Sequence, residues 1–224
     1  MKKILISKLA SKTILNSLAE YGYVPFLFEK ADGFTSELGY HADVSVGRTP
    51  NGVVTSKTFF EKNKKFFDGE NVVISKSTPS EIYPNDVVFN GAFVGETLVA
   101  SKYICCEMCE CAKKIITVNQ GYSKCSCAVA GNSVITADNG IIQKLKENKI
   151  DFLKIEEGGI ALNGFSCGFI GGASFFDNNT FFTFGDVKKH KNGNDIIDFL
   201  KNINVEVVSL EKNELYDLGG AIVL

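Results

Sequence analysis

Apolar residues come in short runs along this chain, and the runs return at a near-constant interval. Ile4-Leu5-Ile6-Ser7, Val53-Val54-Thr55-Ser56, Leu98-Val99-Ala100-Ser101, Val134-Ile135-Thr136-Ala137 and Phe182-Thr183-Phe184-Gly185 start 49, 45, 36 and 48 residues apart. A second run opens 20, 19, 17, 18 and 23 residues after each of these, at Val24, Val72, Ile115, Phe152 and Val205. Between the two runs the apolar spacing is helical. Ile14, Leu15 and Leu18 carry it in the first unit, Phe59, Phe60, Phe66 and Phe67 in the second, and Ile141, Ile142 and Leu145 in the fourth. In the fifth it runs from Ile196 to Ile203. Asp138 or Asn139, and Asn194 or Asp195, are placed to cap the last two helices.

A strand, a helical crossover and a second strand predict a parallel, right-handed unit. The second runs have so little polar interruption that they are expected to be buried on both faces beneath helices. A third strand completes each unit, at His41 to Val46, Asp86 to Asn90, Lys124 to Val129, Gly168 to Gly172 and Gly219 to Leu224. The first four lead into the next unit through turn-rich links. The Asn51-Gly52 link is a strong hairpin signal. The fifth is expected to pair with Lys3 to Ile6 and close a ring. Repeats at this interval mark propellers and solenoids. A doubly wound sheet also alternates strands and helices, but it does not explain four hairpins at matching places. The expected architecture is therefore one α/β-propeller domain spanning 1–224, with βαββ units at approximately 1–52, 53–97, 98–133, 134–181 and 182–224.

Composition narrows the function classes. A net charge of −2 with a pI near 5.8 gives no electrostatic case for nucleic acid or an anionic membrane. Arg48 is the only arginine, so a guanidinium clamp on phosphate has one possible donor. Lys2 and Lys3 precede an apolar run that Lys8 interrupts, too short for a signal-peptide core. No run approaches the roughly 18 apolar residues that span a bilayer. A cytoplasmic protein is expected, its seven cysteines reduced.

The polar residues near the third strands are the candidate chemistry. They are His41 and Asp43 in unit one, Asp86 and Asn90 in unit two, and Gln120, Tyr122, Lys124 and Cys125 in unit three. Unit four contributes glycines and unit five Asp217, Gly219 and Gly220. Converging on one cavity, these groups suit a small cationic or zwitterionic metabolite. A buried carboxylate needs a cation, and Lys124 is the expected partner of Asp43 and Asp86. Cys125 is a candidate nucleophile if Lys124 or His41 depresses its pKa. The alternative is that these groups satisfy one another and seal the channel, leaving an interaction scaffold. Cys105, Cys106, Cys109, Cys111, Cys125 and Cys127 have spacings compatible with thiolate metal or redox chemistry, but not with a zinc ribbon. Filler or exposed thiols are the expected reading, with no metal. Gly158-Gly159 and Gly171-Gly172 lack a nucleotide-binding order, so no cofactor is expected.

Gly39-Tyr40-His41-Ala42-Asp43 resembles the Gly-His-x-Asp segment of agmatine and arginine deiminase relatives. In those enzymes the histidine is the general acid/base and the aspartate binds guanidinium. Asp217-Leu218-Gly219-Gly220-Ala221-Ile222-Val223-Leu224 is similar to the glycine-rich ending that carries their nucleophilic cysteine. As a whole, the chain resembles an uncharacterised bacterial family with the guanidine-modifying-enzyme, or pentein, fold. The segments Tyr83 to Asn90, Gln120 to Ser126 and Gly168 to Ser174 carry that likeness. The resemblance implies a fivefold α/β-propeller and an amine- or guanidine-bearing ligand, and for any reaction, C–N bond hydrolysis or transfer. The same fold also serves a ribosome anti-association factor. The usual cysteine position holds Val223-Leu224, and the His-x-Asp pair stands in unit one rather than beside the last unit. Were the ring permuted, the cysteine would fall in unit two, where Asp86-Val87-Val88 stands. The usual nucleophile is therefore expected to be missing or relocated.

Overall fold

Every first strand became the spine of a small sheet. The computed structural model describes residues 1–224 and places each first strand between an antiparallel and a parallel neighbour. Ala221–Val223, Lys2–Ser7 and Tyr23–Phe28 form one sheet, with Ile4 opposite both Val223 and Pro25. The next holds Val46–Thr49, Gly52–Ser56 and Val72–Ser75, and the third Ala92–Val94, Thr97–Ser101 and Lys114–Val118. Ala128–Ala130, Ser133–Thr136 and Phe152–Lys154 make the fourth, and Ser174–Asp177, Thr180–Thr183 and Glu206–Ser209 the fifth. Ile160–Ala161 and Leu215–Tyr216 add a short parallel pair. The last strand thus pairs with the first, as the apolar runs predict.

Helices Lys12–Glu20, Lys57–Lys62, Lys64–Phe67, Cys106–Glu110, Asn139–Glu147 and Gly193–Asn202 fill the crossovers. Ser11, Ser56 and Asp138 cap three of them by accepting from Ile14 N, Phe59 N and Ile141 N. The last helix begins at Gly193, so Asn194 and Asp195 lie inside its first turn instead of capping it.

Two expectations are corrected. The fully buried strands are the first runs, whereas the second runs form outer edges exposing Leu27, Val73, Ile74 and Ile115. An outer strand has a hydrogen-bonded neighbour on one side only, so part of its surface stays open. The third strands also start later than their polar residues. Ala42–Ser45 and Ser123–Ser126 form single helical turns and Asn85–Val87 a 3-10 turn, and the strands follow at Val46, Ala92 and Ala128. A helical turn aims successive side chains about 100° apart, which strand alternation cannot do.

The five larger core clusters each bridge consecutive sheets. Leu5, Phe28 and Ile222 pack on Val46, Val53 and Phe66, and Val54 packs with Phe89, Leu98 and Met108. Val99 and Ile116 meet Val134 and Leu145, and Ile135 meets Phe181 and Leu215. Phe175, Phe182 and Phe184 of the last sheet meet Ile4 and Ile6 of the first.

Replacing Ile222, 3% exposed, with alanine is expected to cost about 2–5 kcal/mol of stability in urea unfolding. A loss no larger than the about 0.5 kcal/mol of a surface change would show that the terminal strand is dispensable to the core.

Glu107 ties the helix Cys106–Glu110 to the second sheet, accepting from Ser75 Oγ at 2.7 Å and Lys76 N at 3.0 Å. Burial pushes its carboxyl up, but these bonds outweigh burial and hold it at about 2, below the ordinary 4.5. The folded value is depressed, so this stabilisation is complete above the ordinary value and is lost as pH falls toward about 2. Unfolding midpoints of Glu107→Gln should therefore show a shallower acid dependence than wild type between about pH 5 and 2.5.

Candidate functional site

The turns ahead of the third strands bring side chains from distant units into one buried cluster. Lys124 Nζ reaches Asp43 Oδ2 at 3.3 Å, the Gly171 carbonyl at 2.9 Å and the Gly219 carbonyl at 3.4 Å. The Asp43 side chain is 1% exposed. Cys125 Sγ donates to the same Asp43 oxygen at 3.0 Å and accepts from Asn90 Nδ2 at 3.1 Å. Asn90 Oδ1 takes the backbone N–H groups of Lys124 and Cys125, at 2.8 and 3.2 Å. Asn90 is thereby fully engaged in holding the Lys124–Cys125 turn against unit two.

Tyr122 OH donates to Asp86 Oδ2, and the Tyr122 ring stacks on Phe169 with centroids 6.3 Å apart. Burial, then the Asp86 carboxylate, pushes the Tyr122 phenol well above its ordinary pKa, so it remains a donor. Gln120 turns away. Its amide donates to Asp138 at 3.2 Å and its oxygen accepts from Tyr122 N, so it lines a separate cleft.

His41 is buried, with Nδ1 3.8 Å from Asp217 Oδ1, beyond hydrogen-bond reach. Asp217, 1% exposed, accepts from Phe169 N at 2.8 Å and Gly219 N at 2.9 Å. Burial raises its pKa, opposed by His41 and reinforced by Asp43. Sequence reasoning placed Asp217 near the channel but outside the ligand set. Its signal was its position, immediately before the last strand as Asp43 is before the second sheet. Gly219 and Gly220, at φ +73° and +67°, leave no room for a side chain: a Cβ on Gly219 would strike His41 and one on Gly220 would strike Lys124 Nζ.

The pairing is extensive but incomplete. Oδ1 of Asp43 and Oδ1 of Asp86 are buried without a hydrogen-bond partner. The cluster sets three carboxylates, Asp43, Asp86 and Asp217, against the single ammonium of Lys124 and the imidazole of His41. Cys125 is not held as a thiolate. Burial first, then the charges of Asp43 and Asp217, push its pKa well up, and Lys124 offsets this only in part.

Cys105, Cys109 and Cys111 share one apolar cluster, and Cys127 lies in another. Cys106 is exposed, Cys109 and Cys111 are half-buried, and Cys105 and Cys127 are buried apart. No group of three or more His, Cys, Asp or Glu side chains is arranged to hold a metal ion. No helix is long and apolar enough to cross a membrane.

Residues 5–222 match the family of unknown function DUF6873. The chain belongs to that family. No curated protein matches it in sequence. Solved structures share its fold. Dimethylarginine dimethylaminohydrolase from Pseudomonas aeruginosa, a mutant complexed with citrulline, aligns with TM-score 0.58 at 9% identity over 100% of this chain and 99% of its own. Agmatine deiminase from C. jejuni aligns with TM-score 0.56 at 13% identity, covering 94% of this chain and 87% of its own. An amidinotransferase of the saxitoxin biosynthetic pathway from Microseira wollei gives TM-score 0.51 at 10% identity, covering 93% and 88%. This DUF6873 chain therefore has the mixed α/β pentein fold of guanidine-modifying enzymes.

Thiol chemistry tests the site's geometry. At about pH 8 an alkylating reagent should label Cys106 first, while Cys125, Cys127 and Cys105, the last pushed to about 12 by burial, stay unlabelled until denaturation. Peptide mass spectrometry reads the order. Labelling of native Cys125 at the Cys106 rate would contradict the burial described above.

Proposed function

We propose that this protein binds a small amine- or guanidine-bearing metabolite at the centre of the fold. In this reading the five sheets form a closed fivefold ring around that centre. Terminal strand pairing and the core clusters between consecutive sheets, including last with first, support it. The observation that carries the reading is the pair of buried, unpartnered oxygens, Asp43 Oδ1 and Asp86 Oδ1. An unmet acceptor on a buried carboxylate costs a few kcal/mol, and a cationic donor removes that cost. The cluster also carries more carboxylates than cations, which favours a positively charged guest. The fold relatives include proteins named for dimethylarginine and agmatine, and one holds citrulline.

The roles divide by geometry. Asp43 and Asp86 accept from the cation, Tyr122 and Lys124 hold those two carboxylates, and Asn90 positions Lys124 and Cys125. Gln120 acts indirectly, by fixing the Tyr122 backbone. His41 and Cys125 are the groups available for any C–N bond chemistry. The strand Ala221–Val223 offers no thiol where the deiminase resemblance would put one. A neutral Cys125 is not a nucleophile in the resting site, so binding is the function concluded here. A bound cation is the change that would favour its thiolate. Seven free thiols fit a reducing cytoplasm.

Calorimetric titration with methylguanidine, agmatine and ethylamine tests the reading. Wild type should bind at least one of them. Asp43→Asn and Asp86→Asn should each weaken binding at least about tenfold, the value of one hydrogen bond to a charged group. Circular dichroism confirms that the variants fold. Absence of binding by wild type, or unchanged binding by both variants, overturns the proposal.

A further inference from the structure

The buried cluster is reached from the strand side by a cavity of about 260 Å³. That is just below the roughly 300–1,000 Å³ typical of ligand pockets. All five sheets contribute a wall residue: Val46, Phe93, Val129, Phe176 and Val223. The cavity touches the cluster through Asp43, Lys124 and Gly171, whereas His41, Asp86, Tyr122 and Asp217 do not line it. The chamber is mostly apolar, with a charged pair at one end.

The chemistry of that end is selective. The three protons of Lys124 face the Asp43 carboxylate and the Gly171 and Gly219 carbonyls, leaving none for an incoming anion. Asp43 Oδ1 is an unused acceptor. Of the other charged residues lining the cavity, Asp177 is engaged and Arg48 only in part, with one of its five N–H groups hydrogen-bonded. Asp177 accepts from Lys2 at 2.8 Å and from Tyr23 at 2.7 Å, and Arg48 donates to the Gly52 carbonyl at 3.1 Å. A guest therefore meets Asp43 where the cavity touches the cluster, hydrocarbon along most of the wall, and the unused N–H groups of Arg48.

We propose that the ligand is a hydrophobic amine or amidine: a cationic head on Asp43 and an alkyl or aryl tail in this chamber. The inference rests on the cation site proposed above and adds the class of ligand. Burying a tail against these walls should raise affinity about fourfold per added methylene, the increment for apolar transfer. An aromatic tail gains in addition from Phe93 and Phe176.

The test is calorimetric titration of the full chain with ethylamine, butylamine, hexylamine and 2-phenylethylamine. Methylguanidine serves as a tail-free head and hexanoate as the anionic counterpart. Affinity should climb along the amine series, and hexanoate should bind more weakly than hexylamine. Val129→Phe, which narrows the chamber, should lower hexylamine affinity more than methylguanidine affinity and so flatten the climb. Should that variant not fold, Phe93→Ala, which removes wall area, should reduce the gain per methylene. If short heads bind and tails add nothing, or hexanoate binds as well as hexylamine, this inference is wrong and the cation site stands. If no cation of either kind binds, both readings fall.

Discussion

The ammonium of Lys124 is the interaction on which the centre of this molecule depends. It reaches a carboxylate in unit one and carbonyls in units four and five, and its backbone N–H is held by Asn90 of unit two. Segments of all five units, far apart in sequence, therefore meet at one point. Such a pair contributes little net stability over hydrophobic packing, because desolvating both charges offsets their attraction. Breaking it is another matter, since removing one partner of a buried pair costs about 3–5 kcal/mol. The pair's effect is to specify geometry: Lys124 can satisfy its protons only when the turns of several units are in register. Gly220 has to be side-chain-free for the ammonium to sit there at all.

That arrangement also sets the chemical character of the site. Three carboxylates stand against one ammonium and one imidazole in a place with little access to water. Burial first, then the charges of Asp43 and Asp217, keep Cys125 protonated. A protonated thiol and unpaired carboxylate oxygens are the features on which the cation-binding role proposed above rests. The fold shared with guanidine-modifying enzymes is compatible with either use, since function resides in the site and not in the scaffold. In this chain the His-x-Asp segment supplies Asp43 to the cluster, while His41 packs against Gly219 near Asp217.

Much of the scaffold was legible in the chain. The first runs, the hairpin links and the pairing of the last strand with the first all follow from apolar spacing and Asn-Gly chemistry, which are local signals. Asp138 as a helix cap was legible for the same reason. The exposure of the second strands was not, because a continuous apolar run reads the same at a sheet's edge and at its centre. The helical turns at Ala42–Ser45 and Ser123–Ser126 were also missed, since four residues are too few to show a helical period. Most of the candidate site residues do gather in the cluster, but Gln120 is drawn off by Asp138, a competing partner 18 positions away.

By itself, then, the sequence determined the repeat, the strand partners and the kinds of groups brought toward the middle, because those depend on spacing and residue type. Tertiary structure alone decided which carboxylate met the lysine, which oxygens were left without partners, and that an apolar chamber would end on Asp43. Those outcomes depend on distances of a few ångströms between turns separated by tens of residues. Burial then converts such small distances into charge states and unmet hydrogen bonds.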